Sequence, residues 1–524
     1  MKKLLLTAFL PAMAACAVVF YSFTPAKTAG KNDDTIAVEG GKISGVKSAA
    51  GDVMSYKGIP FAAVPVGELR WRAPRPVVPW SGVKKCDAYG PSPMQGKPSP
   101  FMVYTSEFLI PEKPISEDCL YLNVWTSAHK GNKRPVFLWI YGGGFSSGGT
   151  GVPIYDGEAL AKKGIIFVSA NYRVGVFGFL SHPELTKESP NHASGNYGLM
   201  DQIAALQWIK NNIAAFGGDP NNVTIDGQSA GSMSVNCLVA SPAAHGLFNK
   251  AIAESGSFMI ANPLIQATTL EIAEKQGLRF AGSAHAQSIE DLRKMSAEDL
   301  MKVPGRFSPI TDGYVLPKPV PQIFAEGHQN NVAVITGWNA DESFITSYKK
   351  KDAYVDAIKK QYGADADEVL KYYAGTTDEE AARSQVRMSR DQTFAMSGYK
   401  WLSLQSRQGK APIYAYYFNR KLPATPDYVK YGAFHTGEVA YVMDDLKFLN
   451  RPWEPDDQPL ATLMSSYWVN FMKTGNPNGQ GLPEWPKYDN TTQQAMVFDK
   501  TSGKQSLPDK DALKFMVERT EAGK

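Results

Sequence analysis

Cysteine and histidine are scarce in this chain, with four and seven among 524 residues. Cys16 lies in an N-terminal apolar run, which leaves Cys86, Cys119 and Cys237. No disulfide framework can brace the fold, and at most one bridge can form among the three. Blocks of like charge are missing after Gly30. The formal charge of +4 draws on Lys2, Lys3 and Lys27, and the remainder is close to neutral. That excludes a nucleic-acid groove or a polybasic membrane patch and suits a small neutral or mildly anionic ligand. Repeats of fixed period and low-complexity linkers are also absent, which excludes solenoids and tandem modules.

Only one long hydrophobic run occurs, Leu4 to Phe23, preceded by Met1-Lys2-Lys3. A charged start before an apolar stretch has the layout of an export signal, so residues 1–28 are read as a leader cleaved near 26–29. The mature protein would then be secreted or periplasmic, without stable membrane insertion. A retained run could anchor it in a bilayer, although Pro11 interrupts the segment. A third reading makes Met13 to Cys16 a lipid-attachment site, against which stands the apolar stretch Ala17 to Phe23 that follows.

What is present is ample core material: 43% hydrophobic residues, including 10 Trp, 24 Tyr and 25 Phe. β-rich runs recur at Val136 to Tyr141, Ile165 to Tyr172, Val223 to Asp226, Val332 to Gly337 and Ile413 to Phe418, separated by helical stretches. This alternation predicts a mostly parallel sheet covered on both faces, in one α/β domain spanning 29–524. Leu199, Ile203, Leu206, Ile209, Ile213 and Phe216 mark one apolar helix face. Gly217-Gly218 is expected to end that helix, and Asp219 to Asn222 to turn the chain into a short strand.

Directly after that strand stands Gly227-Gln228-Ser229-Ala230-Gly231, followed by the helix-compatible stretch Ser232 to Val239. A G-x-S-x-G on a strand-to-helix turn forces its serine into a strained conformation that lifts the hydroxyl clear of the sheet. A lone match would be an ordinary Gly-Ser turn; the flanking strand and helix make it a nucleophile elbow. Such a nucleophile needs donors for the developing oxyanion, and Gly142-Gly143-Gly144-Phe145, after the strand Val136 to Tyr141, could supply bare N–H groups. Gly143, Gly144 and Ala230 would form a three-donor hole, each donor worth roughly 3 kcal/mol in the transition state. The alternative for this loop is a flexible glycine linker.

Several blocks now resemble the type-B carboxylesterase family, the group that includes bacterial esterases and the cholinesterases. They are Tyr56 to Phe61, Pro65 to Trp71, Ser116 to Val124, Asn171 to Gly175 and the elbow, spread in order over nearly the whole chain after Gly30. The resemblance implies an α/β-hydrolase fold and hydrolysis of small-molecule carboxylic esters through an acyl-enzyme, with no metal or organic cofactor. It points to Gly337 to Glu342 for the acid and Phe434 to Glu438 for the histidine. The implied catalytic set is Ser229, Glu342 and His435, with Asp341 as the competing carboxylate. Arg70 with Glu117, and Arg173 with Asp201, are implied scaffold ion pairs. Two rival functions share the fold: an amide or peptide hydrolase, and a recognition protein without catalysis.

The sequence also departs from the family. Gln228 replaces the usual Glu before the nucleophile, removing a negative charge expected at the pocket rim, so cationic substrates should gain less. Ser232 and Ser343 replace glycines. The stretch that usually carries the cysteine partner of Cys119 reads Gly90-Pro91-Ser92-Pro93-Met94. A bridge from Cys86 to Cys119 is the remaining possibility, enclosing a loop with Phe101, Met102, Tyr104 and Phe108 that either lines the pocket mouth or packs. Cys237 is expected to be a buried free thiol.

Overall fold

A computed structural model describes residues 35–127, 129–261 and 268–523. The leader reading, its lipid-attachment variant and Cys16 all fall outside the described residues. Among those described, no helix is long and apolar enough to cross a membrane.

Eleven strands build the central sheet: β1 Val46–Lys47, β2 Met54–Pro60, β3 Tyr121–Thr126, β4 Arg134–Ile140, β5 Ile166–Ala170, β6 Gly218–Gln228, β7 Lys250–Glu254, β8 Ala333–Asn339, β9 Ile413–Phe418, β10 Gln494–Phe498 and β11 Gly503–Ser506. Their spatial order is β11-β10-β9-β8-β7-β6-β4-β5-β3-β2-β1. From β10 to β5 all neighbours are parallel; the strands outside them pair antiparallel. The parallel strands are buried almost without alternation, as expected where helices cover both faces. The helices used below are α1 Tyr197–Asn212, α2 Ala230–Ala240, α3 Leu270–Ser283, α4 Asp378–Arg390, α5 Met396–Gln408, α6 Asp457–Thr474 and α7 Lys510–Glu521.

The chain runs from β4 outward to β5 and then crosses to the other side of β4 to lay down β6. That reversal opens a crevice at the carboxyl ends of β4 and β6, where open α/β sheets place their ligand sites. The Gly142–Phe145 loop leaves β4 there, and Ser229 leaves β6 there.

Most expected elements occur with shifted ends. The predicted helix is α-helical over Tyr197–Asn212 and tightens to a 3₁₀ turn over Ile213–Phe216, and Gly217 closes it at φ +85°. Asp219 to Asn222 is not a turn between elements. It is an irregularity inside β6, since Gly218 pairs with Arg134 while Val223 already pairs with Val136. Asp219 Oδ1 accepts from Asn221 N–H at 2.9 Å, so the local turn chemistry persists within a strand held at both ends by β4.

The possible Cys86–Cys119 bridge does not form: both are buried free thiols, as is Cys237. Cys86 is pinned by its backbone between Ser44 and Lys57 beside the antiparallel edge. Cys119 instead borders a small void shared with Met94, Arg70 and Arg173. Burial pushes the Cys86 thiol up to about 11 and Cys119 well above its usual range, so both stay protonated. The scaffold pairs are present. Glu117 accepts from Arg70 at 2.5 and 2.7 Å, and Asp201 holds Arg173 through three hydrogen bonds of 2.8–3.0 Å.

Candidate active site

Ser229 sits at the joint of β6 and α2 with φ 59° and ψ −123°, a region that an L-residue enters only when its surroundings impose it. The surroundings are tight. The Ser229 N–H donates to the Glu254 carbonyl at the end of β7 (2.8 Å), and a Cβ on Gly231 would lie 2.0 Å from the Ile140 carbonyl oxygen of β4. Glycine is therefore obligatory two residues beyond the serine, which is the physical content of that half of the motif.

Beside it, Gly143 adopts φ +113°, and a Cβ there would meet the Ser147 carbonyl at 2.3 Å. This loop folds back on itself, with Gly143 O accepting from the N–H groups of Ser146 and Ser147. The N–H groups of Gly143, Gly144 and Ala230 donate no hydrogen bond among the described residues. Gly144, Ser229 and Ala230 line a cleft of about 700 Å³.

Glu342 and His435 come together although 93 residues separate them. Glu342 lies just beyond β8 and is fully buried, and its Oε1 is 3.2 Å from His435 Nδ1. Asp341, the competing carboxylate, accepts instead from the Ala433 N–H at 2.9 Å, so it tethers the histidine's loop rather than its ring. An Nδ1–H directed at Glu342 would leave Nε2 as the acceptor nitrogen of the imidazole.

Gln228 differs from its expected place. It is 2% exposed, not at a rim, and its Nε2 lies 3.2 Å from His435 Nε2 and 3.4 Å from Nδ1. Thr436 Oγ1 donates to Gln228 Oε1 at 3.2 Å, which orients the amide nitrogen toward the imidazole. Packing beneath the histidine explains the burial: a side chain leaving the last residue of β6 points down into the loop that carries His435. No hydrogen bond joins Ser229 to His435 among the described residues.

Sequence reasoning missed the aromatic cradle of His435. Phe394 stacks on the imidazole with centroids 4.3 Å apart and planes 16° from parallel, and Phe344 meets it edge-on at 5.5 Å. Phe394 belongs to a π-helical turn, Asp391–Ala395, wedged between α4 and α5. The Tyr104 hydroxyl donates to the His435 carbonyl at 2.8 Å, and its ring packs on Phe108 and Phe434. The loop between Cys86 and Cys119 thus braces the histidine from behind, while Phe101 at its tip is solvent-exposed.

Behind the pair lie three further buried carboxyls. Burial, then the neighbouring Glu342, raises Glu438 to about 8. Burial also lifts Asp226 and Glu254 well above the usual carboxylate range, each pushed further by the acidic groups beside it. Glu438 is hydrogen-bonded to Asn339, whose Nδ2 also donates to the Phe434 carbonyl at 2.9 Å, and Glu254 accepts from Trp468 Nε1 at 2.9 Å. No cluster of metal-binding side chains occurs among the described residues.

A strained serine on a sheet crossover, beside undonated backbone N–H groups and a buried imidazole–carboxylate pair, has the form of an acyl-transfer hydrolase site. The carboxylesterase family model matches residues 32–516, and the chain belongs to that family. It has the α/β-hydrolase fold and is a carboxylic ester hydrolase. It is 36% identical to the fumonisin B1 esterase of Sphingopyxis macrogoltabida, covering 89% of this chain and 87% of that protein. It is 35% identical to the para-nitrobenzyl esterase of Bacillus subtilis (88% and 94% covered) and 33% identical to carboxylesterase 1C of Rattus norvegicus (87% and 89% covered).

Proposed function

We propose that ester hydrolysis proceeds by a double displacement on Ser229. His435 Nε2 exchanges the Gln228 amide for the Ser229 hydroxyl and takes its proton as the oxygen attacks the ester carbonyl. The N–H groups of Gly143, Gly144 and Ala230 receive the oxyanion, and the imidazolium returns its proton to the leaving alcohol. Water, deprotonated by the same nitrogen, then cleaves the acyl-enzyme. Glu342 holds the Nδ1–H tautomer and offsets the charge on the ring without taking its proton. The observation that carries this reading is the forced backbone of Ser229, which presents a hydroxyl to the cleft between two walls of unspent donors.

Export by a leader over residues 1–28, with one catalytic domain from residue 29 onward in a secreted or periplasmic setting, completes the proposal. The Lys-Lys start and apolar run support it.

Hydrolysis of short p-nitrophenyl esters by the purified chain near neutral pH tests the reading. Ser229→Ala and His435→Ala should each lose at least a thousandfold in kcat, and Glu342→Gln about a hundredfold or more. Undiminished turnover by Ser229→Ala would overturn it.

A further inference from the structure

Among the described residues that line the cleft, Arg306 alone carries a charge, and no acidic side chain faces it there. Arg306 is exposed, and no ion pair, hydrogen bond or aromatic ring engages its guanidinium among the described residues. Arg70, Arg173, Arg293, Arg390 and Arg420, by contrast, are all committed to carboxylates.

The arginine is part of a built wall. Phe307, beside it, meets Phe280 of α3 edge-on at 5.3 Å, fixing residues 305–308 against that helix. Gln276, one helical turn before Phe280 and therefore on the same face, lines the same cleft, as does Ser308. Both are half-buried, and neither side chain is spent on a hydrogen bond among the described residues. Gln95, by contrast, is fully committed to Gly148 and the Pro93 carbonyl. One face of the cleft thus offers a guanidinium fork, an amide and a hydroxyl, while most of the remaining lining is apolar.

We propose that the cleft selects esters bearing a carboxylate, which Arg306 binds through its fork with Gln276 and Ser308 as auxiliary donors. This rests on Ser229 as the nucleophile, because it is the position of the scissile ester at Ser229 that directs the substrate's other end toward that wall. Guanidinium matches carboxylate bidentately.

The test compares kcat/KM on two matched pairs, using the full chain and Arg306→Gln, Arg306→Lys and Arg306→Glu. The first pair, p-nitrophenyl hydrogen glutarate and p-nitrophenyl valerate, places the charge in the acyl part. The second, 3-acetoxybenzoate and 3-methylphenyl acetate, places it in the alcohol part. In at least one pair the charged-to-neutral ratio should fall fivefold or more in Arg306→Gln and further in Arg306→Glu. Arg306→Lys should lie between wild type and Arg306→Gln, and added salt should erode the wild-type preference. The pair that responds identifies the side of the ester that faces Arg306. Because each ratio is internal to one variant, a partly unfolded preparation does not mimic the effect. A change smaller than fivefold in both pairs, with hydrolysis still dependent on Ser229, overturns the inference alone. Hydrolysis that survives Ser229→Ala overturns the parent reading.

Discussion

The ring of Phe394 lies flat on the His435 imidazole, an arrangement that restrains the imidazole's tilt. Phe394→Leu is expected to lower kcat three- to tenfold on a neutral ester with little change in KM, and Phe394→Tyr should restore it. An unchanged kcat in Phe394→Leu would mean that the ring only fills space. The residues of the site were not equally legible. The demand for Gly231 is local, set by the Ile140 carbonyl, and so it shows in the motif. Nothing local marks Phe394, because its role exists only once α4, α5 and the His435 loop meet.

Among the elements, the π-helical turn at Asp391–Ala395 is where a side-chain network reaches the site. Arg390, 1% exposed, donates to Asp391 (2.7 Å), to Asp509 at the start of α7 (2.7 Å), to Tyr417 Oη (3.0 Å) and to the Ala340 carbonyl, two residues before Glu342 (3.2 Å). Tyr373 closes the other side by donating to Asp391 Oδ2 at 2.7 Å. One buried cation therefore ties the turn under His435 to the loop bearing Glu342. Arg390→Met would leave Asp391 buried and uncompensated, and should cost about 3–5 kcal/mol of stability in urea unfolding, with a fall in kcat on any ester. A loss below about 1 kcal/mol would show the network to be peripheral. The strand Ile413–Phe418 matches its sequence reading at both ends because its six aromatic or aliphatic residues are flanked by breaks. Lys250–Glu254 went unread: Lys-Ala-Ile-Ala-Glu has charged ends and one β-branched residue, and it becomes a strand only because β6 and β8 bury it from both sides.

Across the whole molecule, the mostly parallel sheet and the strand-to-helix turn that carries Ser229 followed from alternating strand and helix signals; the strand order, and with it the crevice, did not. Nor did the buried acidity beneath the crevice, since single Asp and Glu residues in sequence look like surface groups. That acidity sets a pH dependence. Glu438, raised to about 8 when folded, holds its proton in the native state while the unfolded chain ionises near its ordinary value of 4.5. The folded state then binds more protons, so this stability is intact below about 4.5 and is lost as pH rises toward 8, by up to about 1.4 kcal/mol per pH unit. Asp226 and Glu254 shift in the same direction. Thermal unfolding should therefore occur at higher temperature at pH 6 than at pH 8.5, and Glu438→Gln should flatten that slope; an unchanged slope would contradict the assignment.

The central claim, that a forced Ser229 forms the covalent intermediate, is tested most directly by intact-protein mass spectrometry after exposure to an aryl alkylphosphonate ester, followed by peptide mapping. Displacement of the aryloxide by the serine oxygen should add one phosphonyl group per chain, on Ser229, with loss of ester hydrolysis in step and no addition to Ser229→Ala. Stoichiometric labelling at another residue, or inactivation without any label on Ser229, would contradict the account.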